Sequence, residues 1–208
     1  SDTRITGLVP ETIYYFQIES EDHFSNISEM SETIMAMTID PVVLIDFDTV
    51  QDSLGSWDDQ DVDSLSWEYS DSITYGQSPY SLYLYGNTWK TMEISPFQVS
   101  DGHVWQVAVF SDGDSEIQAF GVGDSMHTLF YSFAGSQELD IEEWVTVYQG
   151  NFPDHQWNLY QLPIADDWFA WYDHYPVIDR LIFINDDDGG EPGEVFFDYL
   201  VDLTDVLP

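Results

Sequence analysis

Val104-Trp105-Gln106-Val107-Ala108-Val109-Phe110 alternates its large apolar side chains with other residues and is bracketed by Asp101-Gly102 and by Ser111-Asp112-Gly113. A strict period of two between turn-forming residues is the mark of a strand, since a helix repeats every 3.6 residues. Outward from it the same pattern recurs at Val43–Phe47, Leu65–Tyr69, Ser81–Tyr85, Thr91–Val99, Ile117–Gly121, Thr128–Phe133, Trp144–Tyr148, Trp157–Leu162, Leu181–Ile184 and Glu194–Leu203. Gly, Asp, Ser and Pro fill the gaps. This predicts an all-β fold, a β-sandwich or jelly roll over residues 42–208. Only Ile164–Tyr175 has room for a short helix, and no repeat of solenoid or propeller period emerges.

The composition supports a packed domain. Of 208 residues, 43% are hydrophobic and 16% aromatic, whereas disordered acidic chains are poor in aromatics. Forty acidic residues face three basic ones, Arg4, Lys90 and Arg180, for a net charge of −37. Nucleic acid is excluded as a partner because its phosphates need clustered cations, and anionic membrane surfaces are disfavoured on the same ground. Two unit charges about 7 Å apart in water still repel by roughly 0.6 kcal/mol, so the folded state needs counter-cations. Asp outnumbers Glu, 27 to 13, and Asp is the short oxygen ligand that calcium loops use. Calcium is therefore the expected cofactor, with adaptation to salt or simple solubility as the alternative. The chain has no cysteine, so neither disulfides nor thiolate metal sites are available. No apolar run approaches the ~20 residues of a membrane span, and the sequence, opening at Ser1 with no signal peptide, reads as a mature or excised segment of a secreted or cell-surface protein.

Residues 1–39 carry Gly7-Leu8-Val9-Pro10-Glu11-Thr12-Ile13-Tyr14-Tyr15-Phe16, then Ile18, Asp22, Asn26 and a strand-like Glu32–Thr38. This resembles the last three strands of a fibronectin type III domain, whose tyrosine corner has Leu, Pro, Thr and Tyr at these spacings. The resemblance covers less than a fifth of the chain and implies an incomplete strand set. Tyr14, Phe16, Ile18 and Ile34 would then stay wet unless a neighbour, possible copies of the same chain included, supplies the missing strands.

Within 42–208, Leu44-Ile45-Asp46-Phe47-Asp48, Ser81-Leu82-Tyr83-Leu84-Tyr85-Gly86-Asn87-Thr88-Trp89 and Val195-Phe196-Phe197-Asp198-Tyr199-Leu200 resemble the β-jelly-roll carbohydrate-binding modules of secreted polysaccharide-degrading enzymes. The resemblance implies a polysaccharide or glycan partner. It also implies a structural calcium shared by an acid of the first strand, Asp46 or Asp48, and Asp198 of the last.

Other acidic groups are candidates on their own pattern. Asp59-Gln60-Asp61-Val62-Asp63 begins like an EF-hand loop, yet Ser64 stands where that loop needs Gly and Ser70 where it needs Glu, so only a looser calcium loop is expected, with an exposed acidic turn as the alternative. Asp112 with Asp114, and Asp186-Asp187-Asp188, combine carboxylates with turn glycines and are further candidates. For the sugar, Trp168, Trp171, Tyr172 and Tyr175 crowd a connection between strands and are the expected platform, with burial as the cap of the sandwich as the alternative; Trp57 and Trp89 follow. Trp105 and Trp157 are expected in the core, and Trp67 and Trp144 fit either role.

No nucleophile elbow, HExxH or phosphate loop is present, and His23, His103, His127, His155 and His174 lie scattered without metal-ligand spacing. The expected function is a non-catalytic, extracellular, calcium-stabilised carbohydrate-binding module. The alternative is a structural subunit of an extracellular filament or surface assembly, its first domain completed by a neighbouring chain.

Overall fold

A computed structural model of the chain describes residues 12–37, 40–48, 54–113, 115–135, 145–148, 153–188 and 193–204; of Asp58 and of 145–148 it describes the backbone alone. The chain divides into two compact units that part between Val42 and Val43. In the first, β1 (Ile13–Phe16) and β2 (Ile34–Met37) pair antiparallel with Tyr14 opposite Ala36. The Asp22 carboxylate accepts the backbone N–H groups of Phe24 and Asn26, an Asx turn that shapes the connection. Among the described residues no third strand joins this ribbon, and Ile18 is 71% exposed, with Ile34, Met35 and Met37 exposed as well.

The second unit comprises β3 (Val42–Ile45, all but its first residue), β4 (Gly55–Ser56), β5 (Trp67–Ser70), β6 (Ser81–Tyr85), β7 (Thr88–Gln98), β8 (Trp105–Asp112), β9 (Ile117–Gly123), β10 (Thr128–Ala134), β11 (Val145–Tyr148), β12 (Trp157–Leu162), helix α1 (Ile164–Tyr172), β13 (Val177–Asp186) and β14 (Glu194–Asp202). They form two six-stranded sheets. The first runs β11-β10-β9-β13-β7-β4, and the second β12-β8-β14-β6-β5 with β3 also on β14. The all-β expectation therefore holds, as a sandwich.

Alternation puts one side of each strand into the shared interior. Trp105, Val107 and Val109 of β8, Leu82 and Leu84 of β6, and Val195 and Phe197 of β14 meet Phe120, Val122, Leu181, Phe183 and Met92 of the first sheet in one core. Helix α1 contributes Ile164, Ala165 and Trp168 to that core. Its first turn carries Asp166 and Asp167, the sign its dipole favours. It stops at Asp173, which turns left-handed and donates its N–H to the Phe169 carbonyl.

The first sheet is apolar on its outer side too. Trp89, Ile117, Ala119, Phe130, Ile182 and Ile184 form a second buried cluster against which Trp57 packs. Gly121 is required there, because a Cβ at that position would sit 2.8 Å from the Phe130 ring. At the start of β7, Lys90 points inward and its Nζ lies 2.6 Å from Asp61 Oδ2 and 2.6 Å from the Ser64 carbonyl. Asp61 Oδ1 accepts the backbone N–H of Trp89, so one buried pair fixes where β7 begins.

Trp105 is buried as expected, but Trp157 is not a core residue: it lies opposite Phe110 on the outer side of the second sheet. Trp67 faces inward against the core. Trp144, Asp114 and the Gly7–Glu11 part of the fibronectin-like motif lie outside the described residues.

Candidate functional site

The outer side of the second sheet carries a line of rings. Register places Tyr83 of β6 opposite Phe196 of β14, Phe196 opposite Phe110 of β8, and Phe110 opposite Trp157 of β12. Tyr83 and Phe196 stack at 4.5 Å and 15°, and the next two contacts are edge-on at 5.8 Å each. Tyr85 stacks on Tyr83 at 5.1 Å, while Tyr75 lies 5.7 Å from Trp157 and 5.5 Å from Tyr199. Phe196 forms the floor; Tyr83, Phe110, Trp157, Tyr75 and Tyr199 are half-buried and Tyr85 is exposed.

Polar groups border these rings. Glu68 of β5 is opposite Tyr83, and Glu194 is flanked by Tyr85 and Asp112. The Tyr83 phenol is pushed above its ordinary range, first by burial and then by its hydrogen bond to the Glu194 carboxylate and that group's charge. His155 Nδ1 sits 3.1 Å from Asp112 Oδ1, the pair being well exposed. Rings flanked by carboxylates, a phenol and an imidazole can offer an apolar face and hydrogen-bonding edges to the same ligand.

The expected aromatic platform around α1 is corrected in part. Trp168 is 0% exposed and belongs to the core, because a helix laid on a sandwich must bury one stripe. Tyr172 donates its hydroxyl to the Thr128 carbonyl at 2.7 Å, and Tyr175 bonds Asp101 at 3.1 Å, each half-buried against the core. Trp171 alone of the four stands in solvent, 58% exposed. Trp89 is likewise buried, in the outer cluster of the first sheet, and Trp57 lies edge-on to Phe130 at 5.9 Å with the Arg180 guanidinium 5.4 Å from its ring. These six residues do not form one surface.

The proposed calcium ligands separate similarly. Asp61 is occupied by Lys90, Asp63 Oδ2 accepts the Asn87 N–H at 2.9 Å, and Asp59 is exposed, so the Asp59-Asp61-Asp63 loop serves as a clasp on β7 rather than a cage. In the Asp186-Asp187-Asp188 run, Asp187 accepts the Gly193 N–H and the Asp188 N–H donates to Glu116; Asp186 and Asp187 are half-buried and Asp188 is exposed. Asp186 is half-buried and pushed up to about 6, by burial first, against its bond from the Trp89 indole and with the charges of Asp188, Glu116 and Asp187 adding.

Asp46, Asp48 and Asp198 behave differently. Asp198 is 1% exposed and accepts the N–H groups of Tyr75 and Tyr199. The Ser78 hydroxyl stands 2.9 Å from Asp48 Oδ1, 3.2 Å from the Asp46 carbonyl and 2.6 Å from the Tyr80 carbonyl. One hydroxyl carries one proton, so three oxygen acceptors converge on a single donor. Asp198 is pushed up to about 6, by burial first, with the Asp48 charge adding. Phe47, between Asp46 and Asp48, has φ 55, and Tyr199, next to Asp198, has φ 48, left-handed conformations that side chains of this size adopt at a cost of ~1–3 kcal/mol. The Asp46 carboxylate itself accepts the Asp48 N–H, so its carbonyl faces this point. Two carboxylates and two carbonyls, all hard oxygen donors, suit Ca²⁺.

Sequence reasoning missed the outer-face row. A signal was present: in Ser81–Tyr85 tyrosines alternate with leucines, and in Val195–Phe197 both faces are apolar, which a strand with only one covered face does not need.

No protein-family model matches the chain, and no curated protein matches it. Among solved structures, it is similar to a carbohydrate-binding module of the β-sandwich superfamily studied for promiscuous specificity, at 9% identity and a TM-score of 0.47, over 92% of this chain and 74% of that one. It is also similar to a family 30 carbohydrate-binding module of a cellulosomal cellulase from Clostridium thermocellum, at 14% identity and a TM-score of 0.40, covering 78% and 92% of the two chains. A family 11 module of another cellulosomal cellulase of the same organism gives 14% identity and 0.40, with 78% and 94% covered. Overlaps of this extent say nothing of what this chain binds; its β-sandwich rests on its own strand pairing.

Proposed function

We propose that the second unit is a non-catalytic, extracellular, calcium-stabilised carbohydrate-binding module that takes a polysaccharide across the outer side of its second sheet. The observation that carries this reading is the line Tyr83–Phe196–Phe110–Trp157, a cross-strand row of rings bordered by carboxylates. Aromatic planes shed water cheaply and lie against the apolar faces of pyranoses, while Glu194, Glu68 and the tyrosine hydroxyls bond the sugar edges. Calcium among Asp48, Asp198 and the carbonyls of Asp46 and Tyr80 would lock the first strand to the last and relieve the local carboxylate repulsion.

Isothermal titration with soluble glucan and xylan oligosaccharides tests the reading. Trp157→Ala is expected to weaken binding by about thirtyfold, the effect of removing an anchor worth ~2 kcal/mol. Failure of every glucan and xylan to bind, or an affinity indifferent to Trp157→Ala and Tyr85→Ala together, would sink it. The calcium part is read separately: at 100 times its dissociation constant the ion adds ~2.7 kcal/mol, so chelator lowers the melting temperature. Melting that ignores chelator and rises with sodium chloride assigns the acidity to screening instead.

One observation favours the filament reading for the first unit: Ile13, Tyr15, Ile18, Ile34, Met35 and Met37 of its ribbon are all exposed, a surface suited to further strands. Sedimentation across a concentration series separates association through that ribbon from a monomeric module.

A further inference from the structure

We propose that Asp124, His127 and His174 form a site for a zinc-type divalent transition-metal ion, distinct from the aromatic face and from the calcium position. Each offers one ligand atom lying within 4.8 Å of the other two. Asp124 follows β9 and opens the tight turn to β10. His127 closes that turn, and His174 stands just beyond the left-handed stop of α1.

Three features argue against an ordinary hydrogen-bonded cluster. The His127 Nδ1 to Asp124 Oδ1 distance is 3.8 Å and His174 Nε2 to Asp124 Oδ2 is 3.7 Å, both beyond hydrogen-bond range. Ligand atoms placed ~2.0–2.2 Å from a tetrahedral zinc lie about 3.3–3.5 Å apart, so each histidine needs to close on its Asp124 oxygen by only a few tenths of an ångström to share an ion with it. His127 Nδ1 is buried with no hydrogen-bond partner.

The surrounding contacts orient these groups. His174 Nδ1 is 2.9 Å from the Tyr172 carbonyl, which places the proton on Nδ1 and leaves the Nε2 lone pair facing Asp124. Asp124 Oδ1 is fixed by the N–H groups of Met126 and His127, at 2.8 and 2.7 Å. The His127 ring is held 4.3 Å from the Tyr172 ring, whose hydroxyl is tied to Thr128. Arg180 donates to the Asp124 carbonyl rather than its carboxylate. Both imidazoles are half-buried, so an ion can enter from solvent and water can fill a fourth position. Two imidazoles and one carboxylate select zinc or its first-row neighbours over calcium, which takes oxygen donors. The bound ion would staple the β9–β10 turn to the end of α1.

The test is Zn²⁺ titration of the whole chain in millimolar calcium, which occupies the general carboxylate surface, with imidazole NMR on the same samples. One Zn²⁺ per chain is expected, shifting the His127 and His174 ring signals while His23, His103 and His155 stay put. His127→Ala and His174→Ala are each expected to weaken binding by at least about tenfold, the loss that removal of even an outer-shell partner brings. Asp124→Asn keeps an acceptor for the two backbone bonds and so tests the carboxylate in a folded chain should a histidine variant misfold. Zinc binding abolished by calcium, shifts spread over all five histidines, or affinity unchanged in Asp124→Asn would each overturn the assignment.

Discussion

Lys90→Met is the most informative single change to the scaffold. Lys90 is 2% exposed, and its ammonium lies 2.6 Å from both Asp61 Oδ2 and the Ser64 carbonyl. Methionine keeps the aliphatic stem in place and removes only the charge, so packing loss is small. What remains is the Asp61 carboxylate, buried, with Oδ1 still held by the Trp89 N–H and Oδ2 without its cation. Stranding one member of a buried ion pair costs about 3–5 kcal/mol. Urea unfolding at fixed calcium, followed by tryptophan fluorescence, should show that loss as a lower midpoint with unchanged slope. Lys90→Met with Asp61→Asn should recover most of it, because a neutral amide can still accept from Trp89 and no buried charge is left without its partner. A loss under about 1 kcal/mol in the single variant would refute the claim that this pair seats β7, as would a double variant no better than the single.

Two further outcomes follow from the same geometry. Asp186, pushed up to about 6 from 3.8, binds its proton more tightly folded than unfolded, so its own contribution to stability is fully present below about pH 4 and is lost as pH rises through 6. The gap corresponds to roughly 3 kcal/mol, which solvent screening at a half-buried group reduces to about 1–2, so Asp186→Asn should stabilise the chain by that much at pH 7 and flatten its pH profile between 4 and 6 relative to the parent. Thermal melts at pH 4 and 7 check this; equal differences at both would contradict it. On α1, Trp168→Ala should cost about 3–5 kcal/mol by opening a core cavity, whereas exposed Trp171→Ala should change stability by less than about 0.5 kcal/mol and leave oligosaccharide affinity intact.

Much of the fold is visible in the pattern of residues. Ser81–Tyr85 and Trp157–Leu162 coincide with β6 and β12, because their alternation is clean and turn residues bound them. β4, only Gly55–Ser56, carries no periodic signal and exists because β7 lends it hydrogen bonds. Trp157 falls on the outer side rather than in the core, and the pattern does not decide this, because alternation says which residues share a side but not which side is covered, and both sides of β8 and β14 carry apolar rings. Folding brings Asp48 near enough to Asp198 for its charge to act there, whereas Asp61 is claimed by a lysine far along the chain. Asp124, His127 and His174 become neighbours only when α1 settles against the β9–β10 turn, a juxtaposition that spacing along the chain does not announce.

The cross-strand row has a geometric corollary. Tyr83, Phe196, Phe110 and Trp157 come from four adjacent strands, so the backbone positions from which the rings rise are spaced by main-chain hydrogen bonding, about 4.7–4.9 Å per strand, while the rings themselves stand 4.5, 5.8 and 5.8 Å apart. Substituting one aromatic for another would retune stickiness or reach while leaving the ruler untouched. On the proposed carbohydrate-binding reading, a linear ligand that touches all four rings would run at right angles to the strands, along a backbone spacing that point mutation leaves in place.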